Sequence, residues 1–245
     1  TKFLQTKEDY SWQWGAHFRA WSWAGYDLGD KYVKISLNND RYKWTKKIQD
    51  FIMGCLYIYA PGMTQQDMKS YVTKIWKFQP KFIYAYSSSL NCLANYMYER
   101  NISYPAAAVI TTGDNLLPEF RKNIERVFKC TAFDGYGCGG EGLNIAAQCE
   151  EGKYHINDEL LITEIVQGEL VITSLNNYAM PLIRYKTGDM VSFGKGCKCG
   201  RELKVVRSID GCSQDVVRTP EGNVIVIHFF NVLLEYIQGI DLYKI

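Results

Sequence analysis

The chain has 245 residues, 28 Lys+Arg against 26 Asp+Glu, 47% hydrophobic residues and eight Cys, a composition that excludes disordered, collagen-like and coiled-coil classes. Its formal net charge of +2 is interspersed along the chain without a Lys/Arg run, which argues against nucleic acid as a partner. A chain of this size buries roughly 70 to 75% of its unfolded surface without disulfide staples, and no apolar stretch approaches the ~20 residues of a membrane span or a signal core, so the expectation is a cytoplasmic protein with no membrane partner, its Cys held as thiols or metal ligands.

In chain order, Thr6-x-x-Asp9 has the pattern of a capping box, and Tyr10, Trp14, Phe18 and Trp21 recur at helical spacing up to Gly25. The four Trp of this segment (Trp12, Trp14, Trp21, Trp23) are read as packing residues rather than as a ligand platform. Lys81 to Tyr86 is a strand candidate, followed by Ser87-Ser88-Ser89 as N-caps of a helix with Leu90, Leu93, Ala94 and Met97 on one face. Ala106 to Thr111 is a second strand, Pro118 opens a helix carrying Phe120, Ile124, Val127 and Phe128, and Cys130 to Asp134 leads into a glycine-rich turn. This β-α-β-α-β order predicts parallel strands with ligands outside their carboxyl ends. Three loops converge there: Ser87 to Ser89, Thr112 to Asn115, and Gly135 to Glu141.

From about Tyr154 the pattern changes to short strands at Leu160–Val166, Glu169–Leu175, Leu182–Tyr185, Met190–Phe193 and Lys204–Ile209, which predicts an antiparallel sheet or small barrel packed on the α/β part. Val216 to Arg218 and Val224 to Ile227 flank the turn Thr219-Pro220-Glu221-Gly222-Asn223 as a hairpin.

Gly135, Gly137 and Gly140 formally match a dinucleotide fingerprint, but the loop follows a third strand and no long helix fits between Glu141 and Gly152. What survives is that glycines let backbone approach a ligand, that Tyr136 offers a stacking face, and that Glu141 can hold a cation. Cys149, His155, Cys197 and Cys199 form a closed set of three thiolates and one imidazole, the composition of a structural Zn²⁺ site with no open catalytic position. Arg184-Tyr185-Lys186-Thr187-Gly188-Asp189 places a carboxylate after a turn, suited to accept hydrogen bonds from a sugar diol or to serve as an ordinary turn residue. No nucleophile elbow, H-E-x-x-H, EF-hand or Walker A sequence occurs, and the three His assemble no hydrolase.

Taken in order, Asp134-x-Tyr136-Gly137-x-x-x-Glu141, Cys149, Gly152-x-x-His155-Ile156, Pro181-Leu182-Ile183-Arg184-Tyr185-x-Thr187-x-Asp189 and Cys197-x-Cys199-Gly200-Arg201 resemble the phenylacetate-CoA ligase branch of the adenylate-forming (acyl-CoA synthetase-like) superfamily. Thr219-Pro220-Glu221-Gly222 extends the likeness, especially toward the capsular-polysaccharide-biosynthesis relatives of that branch. The resemblance implies an α/β core spanning residues 1–210, with a sheet at about 65–150 and a β-rich zinc-bearing part at about 151–210. A hinge and the start of a small C-terminal domain would follow at 211–245. It implies ATP-dependent activation of a small carboxylic acid through an acyl-adenylate, with coenzyme A or a carrier thiol as acceptor. Gly113, Asp114, Asp134, Tyr136, Gly137 and Asp189 would bind the nucleotide, Asp189 through the ribose. Glu141 would help hold Mg²⁺, Asp215 would be the hinge, and Tyr84, Ser87 and Ser88 would border the acyl group.

Departures from the family pattern are equally legible. The phosphate-clamping loop that precedes the segment resembling Thr1-Lys2-Phe3 and the C-terminal Lys are not in this sequence, so the expectation is the central piece of a longer ligase, itself inactive in isolation. The hinge reads Gly211-Cys212-Ser213-Gln214-Asp215 where the family has Gly-Arg-x-x-Asp, and Glu141 lies one residue later than usual, with Gly140 in the expected acid position. Two alternatives therefore stand beside the ligase reading: a degenerate, non-catalytic nucleotide- or partner-binding protein, and an adenylate-former of capsule biosynthesis with a non-CoA acceptor.

Overall fold

A computed structural model describes residues 3–36, 44–60, 63–138, 142–212, 216–218 and 224–226, with side chains described as far as residue 209. The chain opens with α1 (Lys7–Trp23), β1 (Tyr32–Ser36), α2 (Trp44–Ile52), β2 (Cys55–Tyr59) and α3 (Gln65–Phe78). The repeating unit predicted from sequence follows as β3 (Phe82–Tyr86), α4 (Ser87–Glu99), β4 (Ala108–Thr112), α5 (Pro118–Phe128) and β5 (Thr131–Cys138). Then come β6 (Leu143–Gln148), β7 (Tyr154–Ile156), β8 (Leu161–Val166), β9 (Glu169–Ser174), β10 (Tyr185–Phe193) and β11 (Val205–Cys212), and the hairpin β12 (Val216–Arg218) and β13 (Val224–Val226).

Strands β1 to β11 form one sheet in the order β2-β1-β3-β4-β5-β6-β7-β11-β10-β9-β8. The first five are parallel, with Tyr84 beside Lys34 on one side and Ile110 on the other. From β6 onward every pairing in the sheet is antiparallel. The β-rich part therefore continues the parallel sheet edge to edge instead of packing on it as a separate layer. The parallel sheet also begins at Tyr32, well before residue 65, with β1 and β2 short strands whose sequence flanks carry turn residues, Gly29-Asp30 and Asn38-Asn39-Asp40 around β1, Gly54 and Pro61-Gly62 around β2.

Strand alternation sorts the core. Val33, Ile35, Ile83 and Val109 face α3, α4 and α5 in one apolar cluster with Ile75, Leu93, Met97, Ile124 and Phe128. The intervening residues Tyr32, Phe82, Ala108 and Ile110 face the other way and pack with Trp21 of α1. A third cluster of Leu143, Ile145, Ile156, Leu161, Leu170, Ile172 and Val206 fills the antiparallel end. Helix α1 thus lies across the sheet face that carries Lys34, Tyr84 and Thr112.

Two local expectations are corrected. Gly135 and Gly137 lie within β5 rather than in a loop, because the strand runs on to Cys138 and pairs with β6. Leu182 to Arg184 is not a strand; the two predicted segments on either side of Thr187 are one strand, Tyr185–Phe193, whose pairing shifts register between Lys186 and Met190.

Candidate functional site

The parallel strands run 2-1-3-4-5, so the chain leaves β1 toward one edge and returns past it to β3. At such a switch point the crevice outside the strand ends accepts ligands. A cleft of about 370 Å³ lies at these ends, lined by Lys34, Tyr84, Tyr86, Thr112, Gly137 and Cys138 from the strands, by Gly113 of the loop after β4, and by Gln13, Trp14 and His17 from α1. Behind it is a smaller chamber of about 30 Å³, which shares His17, Tyr84, Thr112 and Asn144 with the cleft and adds Trp21, Thr111, Asp134 and Gln148.

His17 lines both spaces. Its ring meets Trp14 edge-on at 5.4 Å and Tyr84 at 5.1 Å, and lies 4.7 Å from Trp21. Burial, with Lys34 nearby, pushes its pKa down to about 4 against a hydrogen bond with the Asn144 side chain, so the imidazole is neutral at pH 7. Burial likewise raises the Tyr84 hydroxyl to about 12. Asn144 is fixed from α1: its backbone N–H donates to Gln13 Oε1 and its amide donates to the Gln13 carbonyl, both at 2.9 Å. Lys34 and Asn144 were not singled out in the sequence, and Trp14 was read as a packing residue, because only the crossing of α1 over the strand ends brings them and His17 to the cleft.

The predicted acyl-side and adenine-side loops meet each other directly. The Asp114 carboxylate accepts the Ser87 N–H at 2.7 Å and the Ser88 N–H at 2.9 Å, while Ser87 Oγ donates to the Asp114 carbonyl at 3.1 Å. Helix α4 is therefore capped from a neighbouring loop and not by its own serines; its N-cap, Tyr86, makes no side-chain cap. Gly113 has φ +86°, and a Cβ there would stand 2.2 Å from the Tyr86 ring, so only glycine lets this loop close over β3. At Gly137 a Cβ would meet the Leu143 carbonyl oxygen at 2.3 Å. That glycine serves the close approach of β5 and β6.

Asp134 is buried beneath the strand ends. Thr111 Oγ1 donates to its Oδ1 and Tyr154 OH to its Oδ2, each at 2.5 Å. Its N–H donates to Gln148 Oε1 at 3.1 Å, which also accepts from Arg121 Nη2 at 2.6 Å. Burial raises its pKa, opposed by these two hydroxyls and by the Arg121 charge. Both oxygens being engaged, Asp134 ties β4, β5 and β7 together. Two residues on, Tyr136 OH donates to Asp189 Oδ2 at 2.5 Å, joining β5 to β10; Thr187 Oγ1 accepts the Asp189 N–H at 3.1 Å and completes the turn. Glu141 and Asp215 lie outside the described residues.

Cys149, His155, Cys197 and Cys199 converge at the ends of β6 and β7 and in the loop before β11, all four ligand atoms within 4.8 Å of one another. Cys149 Sγ and Cys197 Sγ are 3.7 Å apart, and Cys199 Sγ is 3.3 Å from His155 Nε2. Tetrahedral Zn²⁺ bonds place two such sulfurs about 3.8 Å apart and a sulfur and nitrogen about 3.5 Å apart, so the donor set fits the ion in composition and spacing. Burial works against ionising Cys199, but hydrogen bonds from the Arg201 backbone and guanidinium hold its pKa below the usual thiol range. Burial holds His155 neutral, the form that ligates metal. Arg201 is itself braced, 2.7 Å from Glu150 and stacked 4.6 Å over Trp23 of α1.

No family model matches the chain. Over 194 residues it is 25% identical to Protein CapK of Staphylococcus aureus, covering 75% of this chain and 43% of that protein. Over 213 residues it is 27% identical to the phenylacetate-coenzyme A ligase of Pseudomonas putida, covering 79% and 47%. Its fold superposes on a 2-hydroxyisobutyryl-CoA ligase crystallised in the postadenylation state, with TM-score 0.72 at 17% identity over 92% of this chain and 52% of that one. In sequence the chain is thus similar to CapK and to phenylacetate-coenzyme A ligases, and in fold to a CoA ligase that forms an acyl-adenylate. It spans about half the length of the curated relatives it matches. Within the adenylate-forming fold, the switch-point cleft, the Tyr136–Asp189 pair and the Cys/His cluster occupy one continuous sheet. Among the described residues no helix is long and apolar enough to cross a membrane.

Proposed function

We propose that this chain contributes the acid- and nucleotide-binding half of an ATP-dependent carboxylate ligase of the phenylacetate-CoA ligase type. In the reaction a carboxylate oxygen attacks the ATP α-phosphate and expels pyrophosphate. A thiol, coenzyme A or a carrier thiol, then attacks the acyl carbonyl and releases AMP. The protein's part is positioning and electrostatics at phosphate and carbonyl oxygens. The observation that carries this reading is the Tyr136–Asp189 pair: two residues 53 apart in sequence, which the resemblance assigns to adenine and ribose, lie 2.5 Å apart. In this role Asp189 accepts the ribose hydroxyls, Tyr136 faces the base, and the Gly113–Asp114 loop and Gly137 backbone border it. Tyr84, Ser87 and Ser88 flank the acyl group. Glu141, beside Mg²⁺, and Asp215, at the hinge, keep the roles the resemblance implies. The four Cys/His ligands hold a structural Zn²⁺ that staples the ends of β6 and β7 to the loop before β11 and takes no part in the chemistry.

The test is pyrophosphate exchange and AMP release by the full-length protein with a panel of aryl and short aliphatic acids, comparing it with its Asp189→Ala variant. Acid-dependent turnover lost in the variant supports the proposal; absence of turnover by the full-length protein with every acid overturns it. A second reading is favoured by one observation. Backbone pairing sets Cys212 opposite Asp189, at the position where the family pattern has a ribose-contacting Arg. A protein that binds nucleotide there without turnover is a degenerate binding protein, and calorimetry with ATP distinguishes the two.

A further inference from the structure

The chamber behind the cleft selects its occupant by size and polarity. At about 30 Å³ it has room for about two water-sized groups, whereas an apolar cavity that admits a benzene ring measures about 150 Å³. Its walls are mixed: the apolar Ala16, Ala20, Ile110, Phe133, Ala146 and Ala147 enclose a few polar groups, those of Thr111, Asp134, Asn144, Gln148 and His17. Trp21, 2% exposed, also lines it, and its indole N–H is buried without a hydrogen-bond partner among the described residues. The other polar walls are already engaged, mostly by groups outside the chamber: Asp134 by Thr111 and Tyr154, Gln148 by Arg121, Asn144 by Gln13.

We propose that this chamber receives a hydroxyl group of the acid to be activated, and that the substrate class is therefore a small aliphatic hydroxy acid and not an unsubstituted aryl or alkyl acid. The inference rests on the ligase reading, since it takes the cleft that opens onto the chamber to be the acyl site. A buried donor left unpaired costs free energy that a ligand oxygen recovers, and a methyl group or ring edge leaves it unpaired. A hydroxyl oxygen accepts from the Trp21 N–H. Its own proton has an acceptor in the neutral imidazole of His17, which lines both chamber and cleft. A keto oxygen would use only the first of these contacts, and a phenyl ring would use neither and would not fit.

The test measures acid binding without ATP, so that its outcome is independent of catalysis. Butanoate, 2-hydroxybutanoate, 3-hydroxybutanoate and phenylacetate are titrated into the 245-residue chain and followed by ligand-observed NMR. One of the two hydroxy acids is expected to bind about tenfold more tightly than butanoate, the discrimination typical of one buried hydrogen bond. In Trp21→Phe, which keeps an aromatic ring and lacks the N–H, that ratio falls toward one, with thermal melting confirming that the variant is folded. Equal binding of butanoate and both hydroxy acids overturns the proposal, as does tighter binding of phenylacetate or no binding of any acid. Hydroxy-acid preference without pyrophosphate exchange by the full-length protein would leave the chamber assignment standing and remove the ligase reading. Pyrophosphate exchange with no hydroxyl preference would do the reverse.

Discussion

Replacing Tyr154 by Phe isolates one bond of the polar network beneath the strand ends. The ring and its packing stay, and only the hydroxyl that donates to Asp134 Oδ2 at 2.5 Å is lost. Asp134 is 6% exposed, so water does not replace the missing donor, and leaving a buried acceptor short of its partner costs roughly 1–3 kcal/mol. For a domain of this size about 2 kcal/mol corresponds to a fall in Tm of about 4–8 °C. The cost also has a sign with pH. Burial already raises the Asp134 pKa, and Tyr154 is one of the groups holding it down. Because the folded value lies above the unfolded one, the stability contribution of Asp134 is fully present below the unfolded carboxylate range and is lost as pH rises through the raised value. Removing Tyr154 OH raises that value further, so Tyr154→Phe is more costly at pH 8 than at pH 4.5. Asp134→Asn, which cannot ionise, gains on wild type as pH rises over the same interval. Urea unfolding followed by tryptophan fluorescence at both pH values measures this. A Tyr154→Phe cost below about 0.5 kcal/mol, within the range of an ordinary surface change, or a cost identical at the two pH values, would refute the argument.

Gly137→Ala puts a methyl group 2.3 Å from the Leu143 carbonyl oxygen. It is expected to weaken the β5–β6 pairing by more than Gly135→Ala, where the nearest atom is 3.4 Å away, a ranking that thermal melts of the two variants read directly. Asp114→Ala removes the acceptor of two N–H groups at the start of α4 and should cost about 1–2 kcal/mol, the range of a lost N-cap; an unchanged urea midpoint would contradict the cap. His17 should titrate near 4 by NMR, against its ordinary 6.5. Between those values the unfolded chain binds more protons, so stability contributed here rises with pH and is lost as pH falls through the window, a slope that His17→Gln abolishes. Elemental analysis should find about one Zn per chain, and Cys197→Ser or chelation should release it and lower the melting temperature together; metal-free protein of equal stability would sink the zinc assignment.

Local rules settled a definite share of this protein. Strand-forming residues at Phe82–Tyr86, helix-forming spacing through Met97 and Pro118 at the head of α5 fix three parallel strands and two helices, because propensity and hydrophobic period agree there. The Cys/His set was legible from composition, since ligand chemistry depends on residue type more than on geometry. The ordered motifs from Asp134 to Arg201 carried the resemblance to the phenylacetate-CoA ligases to which the chain is similar. What sequence could not supply was adjacency across the fold. Asp114 reads as a loop residue, and only the parallel pairing of β3 with β4 brings its carboxylate to the first amides of α4. Gly135 and Gly137 read as a turn, because the partner that draws them into a strand, β6, is a pairing between segments and leaves no trace in either segment alone. The helix at the amino end reads as an aromatic packing stripe. Trp21 does pack, but crossing over the strand ends turns His17 and Trp14 into walls of the cleft. Residue type and period determined which elements form in the repeating α/β unit; the order of strands in the sheet, set by burying both its faces at once, decided which side chains meet.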